Sequence, residues 1–341
     1  MRILLVMDPF IPVPPIYYGG IERVIYDIAC AYKNMGHSVT IIAGPGSKSP
    51  DRLIVYGENA GRSSTRIKLP LLFSLSKILW KEIKSHDVIH NFGRLAWLFP
   101  IAWSNIRKVH TYMRYITPQN VKLLNQFNVR NIVYTGVSQA IVNTGIAGSG
   151  SWRVVYNCAP IESFSFQPLV IPDAPLVFLG RIERCKGVHT AIEVALASNH
   201  KLIIAGNISD IEEEKAYYEN EIKPKINGTT IIYVGPVDNS QKNLLLGNAK
   251  ALLLPIEWFE PFPVVLPEAY ACGTPVLAFH GGGMAEGVFH GKTGFLCNSI
   301  DEMINGISSL GMINRAECRR VAEEYYSDYK IANDYLNLYK G

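Results

Sequence analysis

Two carboxylates in the second half of the chain are spaced for contact with a polyhydroxylated ligand. Glu260 and Glu268 stand eight positions apart in Glu-Pro-Phe-Pro-Val-Val-Leu-Pro-Glu, which runs on into Ala-Tyr-Ala-Cys-Gly-Thr-Pro-Val. Pro261 and Pro263 fit the entrance of a helix, because N–H groups of the first turn have no partner within it. Pro267 predicts that this helix is short or kinked. A helix entrance attracts anions, so the segment suits a ligand that carries both hydroxyls and a diphosphate.

Two cations follow a predicted strand at 176–179. Arg181 and Lys186 lie five positions apart in Gly-Arg-Ile-Glu-Arg-Cys-Lys-Gly-Val, which leads into a predicted helix. A diphosphate requires fixed positive charge, and arginine supplies a planar fork whereas lysine supplies a point charge. Either the two side chains face one anion, or the segment is a surface turn with solvated charges.

The pattern Glu-x7-Glu followed by Ala-x-Ala-x-Gly-x-Pro-Val resembles the signature of retaining glycosyltransferases of family 4, which have the GT-B fold. The resemblance implies that Glu268 accepts hydrogen bonds from ribose hydroxyls and that Glu260 contacts hydroxyls of the donor sugar. It also implies that Arg181 and Lys186 stabilise the departing diphosphate. The alternatives are an exposed loop acid for Glu260 and an ordinary helix-surface acid for Glu268.

The residues between the two carboxylates depart from the family at one position. Phe262 is followed by Pro263 where the family usually has glycine. Because proline has no N–H, one backbone contact to sugar or phosphate must be absent or supplied by Val264 and Val265. The identity of the donor sugar is therefore open, whereas the predicted fold is unaffected.

The resemblance extends to three further places, two of which have a plain structural alternative. Val237, after Tyr-Val-Gly-Pro, matches the strand end whose backbone meets the nucleobase, or it belongs to an ordinary turn. Gly19 and Gly20 match the glycine loop that closes over the diphosphate. His110 aligns with a family histidine near the donor sugar, although a lone histidine at a strand end is often structural.

Strands alternate with helices in both halves, which predicts parallel sheets covered by helices. The expected fold is α/β, namely GT-B, with two Rossmann-like domains whose parallel sheets face each other across a cleft. Residues 1–160 would form the acceptor-side domain and residues 161–326 the nucleotide-sugar-binding domain. A final helix at about 327–341 would cross back onto the first domain, as in the family.

Charge divides the chain. Residues 1–160 carry 18 Lys and Arg against 7 Asp and Glu, whereas residues 161–341 carry 15 against 22. The basic half predicts an anionic partner, such as a phospholipid surface or a lipid-linked phosphate, or else it is only a solvated surface. The amphipathic stretch at 69–86 fits either a membrane surface or core packing. Scattered cysteines and a start that reads as a strand favour a cytoplasmic protein, with the inner membrane surface as a peripheral site.

The expected reaction is the transfer of a hexose from a nucleoside diphosphate sugar to an acceptor hydroxyl, with the anomeric configuration retained. UDP-glucose is the first choice of donor and GDP-mannose the second, by the resemblance; the acceptor is a cell-surface glycan, a glycolipid or a metabolite. No cofactor or nucleic acid is expected. No metal is expected either, because Arg181, Lys186 and the helix entrance supply positive charge and no Asp-x-Asp motif stands in the usual place. The alternatives are a nucleotide-sugar epimerase and a non-catalytic nucleotide-sugar-binding protein of the same fold.

Overall fold

The computed structural model of the protein describes residues 1–15, 19–58 and 69–340. The chain forms two compact units. Unit 1 is Met1–Cys158 together with Asp328–Gly341, and unit 2 is Ala159–Ser327. Strands and helices are numbered in chain order. None of the helices among the described residues is long and apolar enough to cross a membrane.

Unit 1 is built on one parallel sheet. Its strands are β1 (Arg2–Val6), β2 (Ser38–Ala43), β3 (Arg52–Val55), β4 (Val88–Asn91), β5 (Arg107–Tyr112), β6 (Ile132–Gly136) and β7 (Trp152–Val154). Its helices are α1 (Gly20–Asn34), α2 (Leu69–Glu82), α3 (Pro118–Gln126), α4 (Gln139–Gly145) and α12 (Asp328–Tyr339). Short 3-10 turns span Leu95–Ile101 and Ile146–Gly148.

The strand order of unit 1 is β3-β2-β1-β4-β5-β6-β7. The apolar run Ile-Leu-Leu-Val of β1 is almost wholly buried, because a central parallel strand is covered on both faces. The order reverses between β1 and β4, and ligands of open α/β sheets bind outside the carboxyl ends of strands at such a switch point.

Helix α12 belongs to unit 1 although it follows unit 2 in the chain. The Tyr339 hydroxyl lies 2.8 Å from the Tyr32 hydroxyl of α1 and 2.6 Å from Nδ1 of His90 in β4. Nε2 of His90 lies 2.6 Å from Oγ1 of Thr111 in β5, which also meets the Tyr335 hydroxyl at 3.2 Å. These groups are buried, so the network fixes α12 on the sheet through fully paired polar atoms.

Unit 2 has a second parallel sheet. Its strands are β8 (Leu176–Leu179), β9 (Leu202–Ala205), β10 (Ile231–Gly235), β11 (Ala251–Leu254), β12 (Val276–Phe279) and β13 (Gly294–Cys297). Its helices are α5 (Val188–Ala197), α6 (Glu212–Tyr217), α7 (Asn239–Gly247), α8 (Val265–Ala271), α9 (Met284–Gly287), α10 (Ile300–Ser308) and α11 (Arg315–Tyr325).

The strand order of unit 2 is β10-β9-β8-β11-β12-β13, so its switch point lies between β8 and β11. All neighbouring pairs are parallel. Every loop that leaves the carboxyl end of a strand therefore starts at the same edge of the sheet.

The stretch 159–175 resembles a linker in composition, yet it is bound to unit 2. The backbone N–H of Gln167 donates to the carbonyl of Cys272, and Nε of Arg315 donates to the carbonyl of Gln167 at 2.7 Å. The guanidinium of Arg315 is buried and also donates to the carbonyls of Ala249 and Gly247. The composition of 158–175 predicts an interdomain linker, and the boundary between the two units falls after Cys158. The rest of the stretch is held on unit 2 by these hydrogen bonds, which its composition does not reveal.

Candidate functional site

Lys186 and Glu260 form an ion pair at the switch point of unit 2. Lys186 lies between β8 and α5, and Glu260 lies in the loop between β11 and α8. The Lys186 ammonium donates a hydrogen bond to Oε2 of Glu260, and the two side chains are 16% and 10% exposed. A lysine and a carboxylate that are separated by 74 positions therefore meet where the fold predicts ligand binding.

Trp258 completes this pair from the same loop as Glu260. Its indole Nε1–H donates to the same Oε2 of Glu260 at 2.6 Å, and the Lys186 ammonium lies 4.9 Å from the centre of its ring. The carboxylate thus accepts two charge-assisted hydrogen bonds. The cation also faces the aromatic ring, which attracts it. Trp258 was not predicted, because nothing in its neighbouring residues marks it out.

Two glycines let the surrounding loops approach this pair. Gly187 has φ of +75°, and a Cβ there would lie 1.9 Å from the carbonyl oxygen of Pro255. Gly282 has φ of +49°, and a Cβ there would lie 2.2 Å from the carbonyl oxygen of Glu260. Neither distance is possible for a side chain, so both positions require glycine. The glycine-rich segment after β12 consequently holds the Glu260 backbone, a role that the sequence did not indicate.

Glu268 lies in α8 and forms an ion pair with Lys242 of α7. The two side chains are 4% and 9% exposed, and the Lys242 ammonium donates to Oε1 of Glu268. The ammonium also lies 5.5 Å from the centre of the Phe164 ring. A buried charge must be paired, so this contact fixes the carboxylate that the resemblance assigns to ribose. Lys242 was not among the predicted site residues, because a single lysine in a polar helix has no distinguishing sequence pattern.

Arg181 follows β8 directly, and its guanidinium NH1 lies 2.5 Å from Oε1 of Glu183. The Arg181 side chain is 30% exposed. Arg181 and Lys186 thus both leave the carboxyl edge of the sheet on the β8–α5 loop, each beside a carboxylate. A guanidinium and an ammonium on one short loop supply the positive charge that the sequence analysis expects for a diphosphate.

The residues between Glu260 and Glu268 lead into helix α8 and form its first turn, as predicted. Phe262 and Pro263 are buried, whereas Val264 and Val265 are partly exposed. Helix α8 begins at Val265 and is seven residues long, so Pro267 falls in its first turn, where a missing N–H breaks no helical hydrogen bond. The helix is short, and no kink is needed.

Val237 lies two residues beyond β10 and is partly buried. The next residue, Asp238, caps α7 by accepting from the N–H of Gln241 at 2.8 Å. Val237 therefore stands on the loop that leads into the helix carrying Lys242, at the same sheet edge as Arg181 and Glu260.

In unit 1, Gly20 is the first residue of α1 and Gly19 precedes it with φ of +145°. A Cβ on Gly19 would lie 2.8 Å from Cβ of Pro15 and 2.9 Å from Oε2 of Glu22, so glycine is required. Glu22 is buried, and burial raises the pKa of its carboxyl to about 7. Residues 16–18, which precede this loop, lie outside the described part of the chain.

His110 lies near the carboxyl end of β5 and is 1% exposed. Nδ2 of Asn91 lies 2.9 Å from its Nδ1. Burial lowers the pKa of the His110 imidazole from 6.5 to about 3, because the charged form cannot be solvated. The ring is therefore neutral near pH 7. His90 lies in the network that anchors α12.

Among the described residues, no group of three or more histidine, cysteine, aspartate or glutamate side chains is placed to hold a metal ion.

Comparison with known proteins agrees with the geometry in both units. The family described as Glycosyl transferases group 1 matches residues 163–325, and Glycosyltransferase Family 4 matches residues 18–138. Two α/β units with these parallel sheets define the GT-B class of fold, as predicted. The chain belongs to the family 4 glycosyltransferases.

Several solved structures share this fold over almost the whole chain. AviGT4, a glycosyltransferase involved in avilamycin A biosynthesis, has 21% identity and a TM-score of 0.73, over 100% of this chain and 97% of its own. Anabaena HepE in complex with UDP-glucose has 18% identity and a TM-score of 0.75, over 99% and 98%. At this identity the likeness shows the fold alone.

Curated relatives match over shorter stretches. Glycogen synthase of Mycobacterium tuberculosis is 36% identical over 129 residues, which is 36% of this chain and 30% of that protein. Lipopolysaccharide 1,2-N-acetylglucosaminetransferase of Salmonella typhimurium is 30% identical over 192 residues, which is 52% of this chain and 50% of that protein. The matches thus span half or less of the length of these relatives.

Proposed function

We propose that the protein transfers a hexose from a nucleoside diphosphate sugar to an acceptor hydroxyl with retention of the anomeric configuration. The observation that carries the proposal is the Lys186–Glu260 pair at the switch point of unit 2. Lys186 is a cation that can bind phosphate, and Glu260 is a carboxylate that can bind sugar hydroxyls. The two side chains lie within hydrogen-bond distance of each other. The family match supports the transfer of a sugar.

The donor would lie along the carboxyl edge of the unit 2 sheet. Arg181 and Lys186 would bind the diphosphate, Glu268 the ribose hydroxyls and Glu260 the hydroxyls of the sugar. The loop of Val237 would border the nucleobase. The ion pairs described above would hold these groups in place before the donor arrives, so little ordering is required on binding.

In the transfer, the acceptor oxygen forms a bond to the anomeric carbon while the bond from that carbon to the diphosphate oxygen breaks. The acceptor proton passes to the departing diphosphate, which leaves as a nucleoside diphosphate. The residues of this chain position the reactants and stabilise the negative charge that develops on the leaving group. The proposal requires no metal ion.

UDP-glucose is the first donor to test and GDP-mannose the second. HepE, which shares the fold, was solved with UDP-glucose. A thermal-shift panel of UDP, GDP, ADP and their sugars would rank the nucleotides, because a ligand that binds the folded state raises the melting temperature. We expect Glu268→Gln to lose most of the shift that the best nucleotide produces, whereas Glu213→Gln on the exposed side of α6 keeps it. Each variant is compared with its own melting temperature without ligand, which separates binding from stability.

Released nucleoside diphosphate should then be measured with and without acceptors. Transfer requires release that rises with an acceptor. Interconversion of the sugar without release would indicate an epimerase, and a thermal shift with neither reaction would indicate a binding protein. Either of the last two results overturns the proposed transfer.

A further inference from the structure

Unit 1 contains a cavity of about 550 Å³ that the donor site of unit 2 does not use. It lies between α2, the 3-10 turn Leu95–Ile101 and α3. Leu72, Leu95, Leu124 and Phe127 are among its mainly apolar lining residues. This volume falls within the range of sites that enclose small molecules, and the lining favours an apolar ligand.

The inner end of the cavity reaches the carboxyl edge of the unit 1 sheet. Tyr112, the last residue of β5, lines the cavity, and its ring centre lies 4.3 Å from that of His110. The Tyr112 hydroxyl is buried, and within the described part of the chain it has no hydrogen-bond partner. An unpaired buried hydroxyl is costly, so a polar atom of a ligand in the cavity would be stabilised there.

The outer end of the cavity has an apolar rim. Phe99, Tyr115, Leu123 and Phe127 line the cavity and are 40%, 67%, 55% and 43% exposed. The ring centre of Phe99 lies 5.5 Å from that of Phe127. Large apolar side chains grouped at the mouth of an apolar cavity indicate a binding surface.

The segment that builds the cavity is strongly basic. Residues 69–130 contain nine lysines and arginines but only two acidic residues, Glu82 and Asp87. Both acids pair with arginines from outside the segment, Glu82 with Arg52 at 2.7 Å and Asp87 with Arg2 at 2.6 Å. Arg94, which lines the cavity, lies 3.7 Å from Asp8, and Lys108 is buried against backbone carbonyls. The other lysines and arginines of the segment outnumber its acids, and this excess of positive charge favours an anionic ligand.

We propose that this cavity holds the apolar chain of an anionic amphiphile whose charged head stays near the basic surface. This inference rests on the proposed function and names its acceptor class: a hydroxyl compound that carries both an apolar chain and a phosphate. The apolar chain supplies affinity through burial, and the Tyr112 hydroxyl at the inner end would pair with a polar atom of the ligand.

The test uses the full-length protein and three probes: lauroyl glycerol phosphate, glycerol phosphate without a chain, and lauroyl glycerol without a charge. Calorimetric titration below the micelle concentration should show the first binding at least about tenfold more tightly than either of the others. Ala96→Trp, which fills the cavity from a partly exposed position, should abolish the advantage of the chain. Trp80→Ala should leave it unchanged, because Trp80 is 54% exposed on α2 and does not line the cavity.

The outcomes separate this inference from the proposed function. Equal affinity for probes with and without the chain, or full affinity in Ala96→Trp, would overturn it even if the donor is turned over. Binding to anionic vesicles that depends on Trp80 and not on Ala96 would overturn it in favour of membrane docking. If the unmodified protein binds the probe through its chain but does not turn over any donor, the proposed transfer is overturned and the proposed cavity ligand is not. If both hold, Ala96→Trp should retain donor hydrolysis without acceptor and lose the stimulation by lauroyl glycerol phosphate.

Discussion

Lys242 and Glu268 form an ion pair that is more than nine-tenths buried, between two helices that follow different strands of unit 2. Removal of either partner leaves the other charge buried and unpaired. We expect Lys242→Met and Glu268→Leu each to lower the free energy of unfolding by about 3–5 kcal/mol. The double variant should lose much less than the sum, as urea unfolding would measure.

Lys223→Met is the control for this experiment. Lys223 pairs with Glu219 at 2.6 Å, but both side chains are more than half exposed. An exposed pair contributes little, because solvent screens the two charges, so this variant should stay close to the unmodified protein. Additive losses in the Lys242/Glu268 double variant would show that the two charges do not depend on each other.

Alanine variants of Gly187 and Gly228 distinguish the cost of a positive φ from the cost of a steric clash, because the two glycines have nearly the same φ. Gly187→Ala places a Cβ 1.9 Å from the Pro255 carbonyl at φ of +75°, whereas Gly228→Ala meets nothing within 4 Å at φ of +74°. Gly228→Ala should cost about 1 kcal/mol of folding free energy from φ alone. Gly187→Ala should cost at least twice as much and should weaken nucleotide binding, because it displaces Lys186. Equal melting temperatures for the two variants would contradict the tight packing at Pro255.

Trp258→Phe removes the indole N–H that donates to Glu260 and keeps an aromatic ring beside Lys186. A hydrogen bond to a charged group contributes about 1.5–3 kcal/mol. We expect kcat/KM for the donor to fall by about tenfold or more, measured by release of nucleoside diphosphate. Trp80→Phe in unit 1 is the matched control and should retain full activity. Unchanged kcat/KM in Trp258→Phe would remove the indole from the site.

His110 makes stability depend on pH. Its imidazole has a pKa of about 3 in the folded protein, against 6.5 as the ordinary value. Unfolding therefore takes up a proton between these values, and the free energy of unfolding falls as the pH falls through this window. The contribution is about 1.4 kcal/mol per pH unit.

His110→Gln should lower the slope between about pH 6 and 4 by the contribution of one histidine, as urea unfolding at several pH values would show. Burial also lowers the pKa of His90, which keeps its own contribution in this variant. His290→Gln is the control, since its ring is already exposed in the folded protein. A slope in His110→Gln equal to that of the unmodified protein would mean that the buried ring is not responsible.

Apolar runs alone indicate most of the strands, with the exception of β3, β7 and β13. The alternation of these runs with helical stretches in both halves indicates the two units. β3 and β7 are at the edges of the unit 1 sheet, and β13 is at an edge of the unit 2 sheet. Edge strands need fewer apolar residues, so their pattern is weak. β3, for example, is only partly buried.

The candidate site was predictable where a motif carried it and not elsewhere. Recognisable sequence segments contain Arg181, Lys186, Glu260 and Glu268. The fold places these four residues on loops or helices that follow strands of one sheet. Which cation meets which carboxylate depends on tertiary packing. The pairing of Lys186 with Glu260 spans 74 positions, so no local pattern encodes it. Their roles toward a donor stay predictions.

The attachment of α12 to unit 1 has a consequence for biosynthesis. On the ribosome, Tyr32 and His90 emerge long before their partner Tyr339, and the whole of unit 2 is made in between. Unit 2 can complete its contacts before α12 is synthesised. Until then, the surface of unit 1 on which α12 packs stays uncovered, including its polar groups. Expression of the first 158 residues alone should therefore yield an aggregation-prone fragment, and adding residues 328–340 as a separate peptide should rescue its solubility.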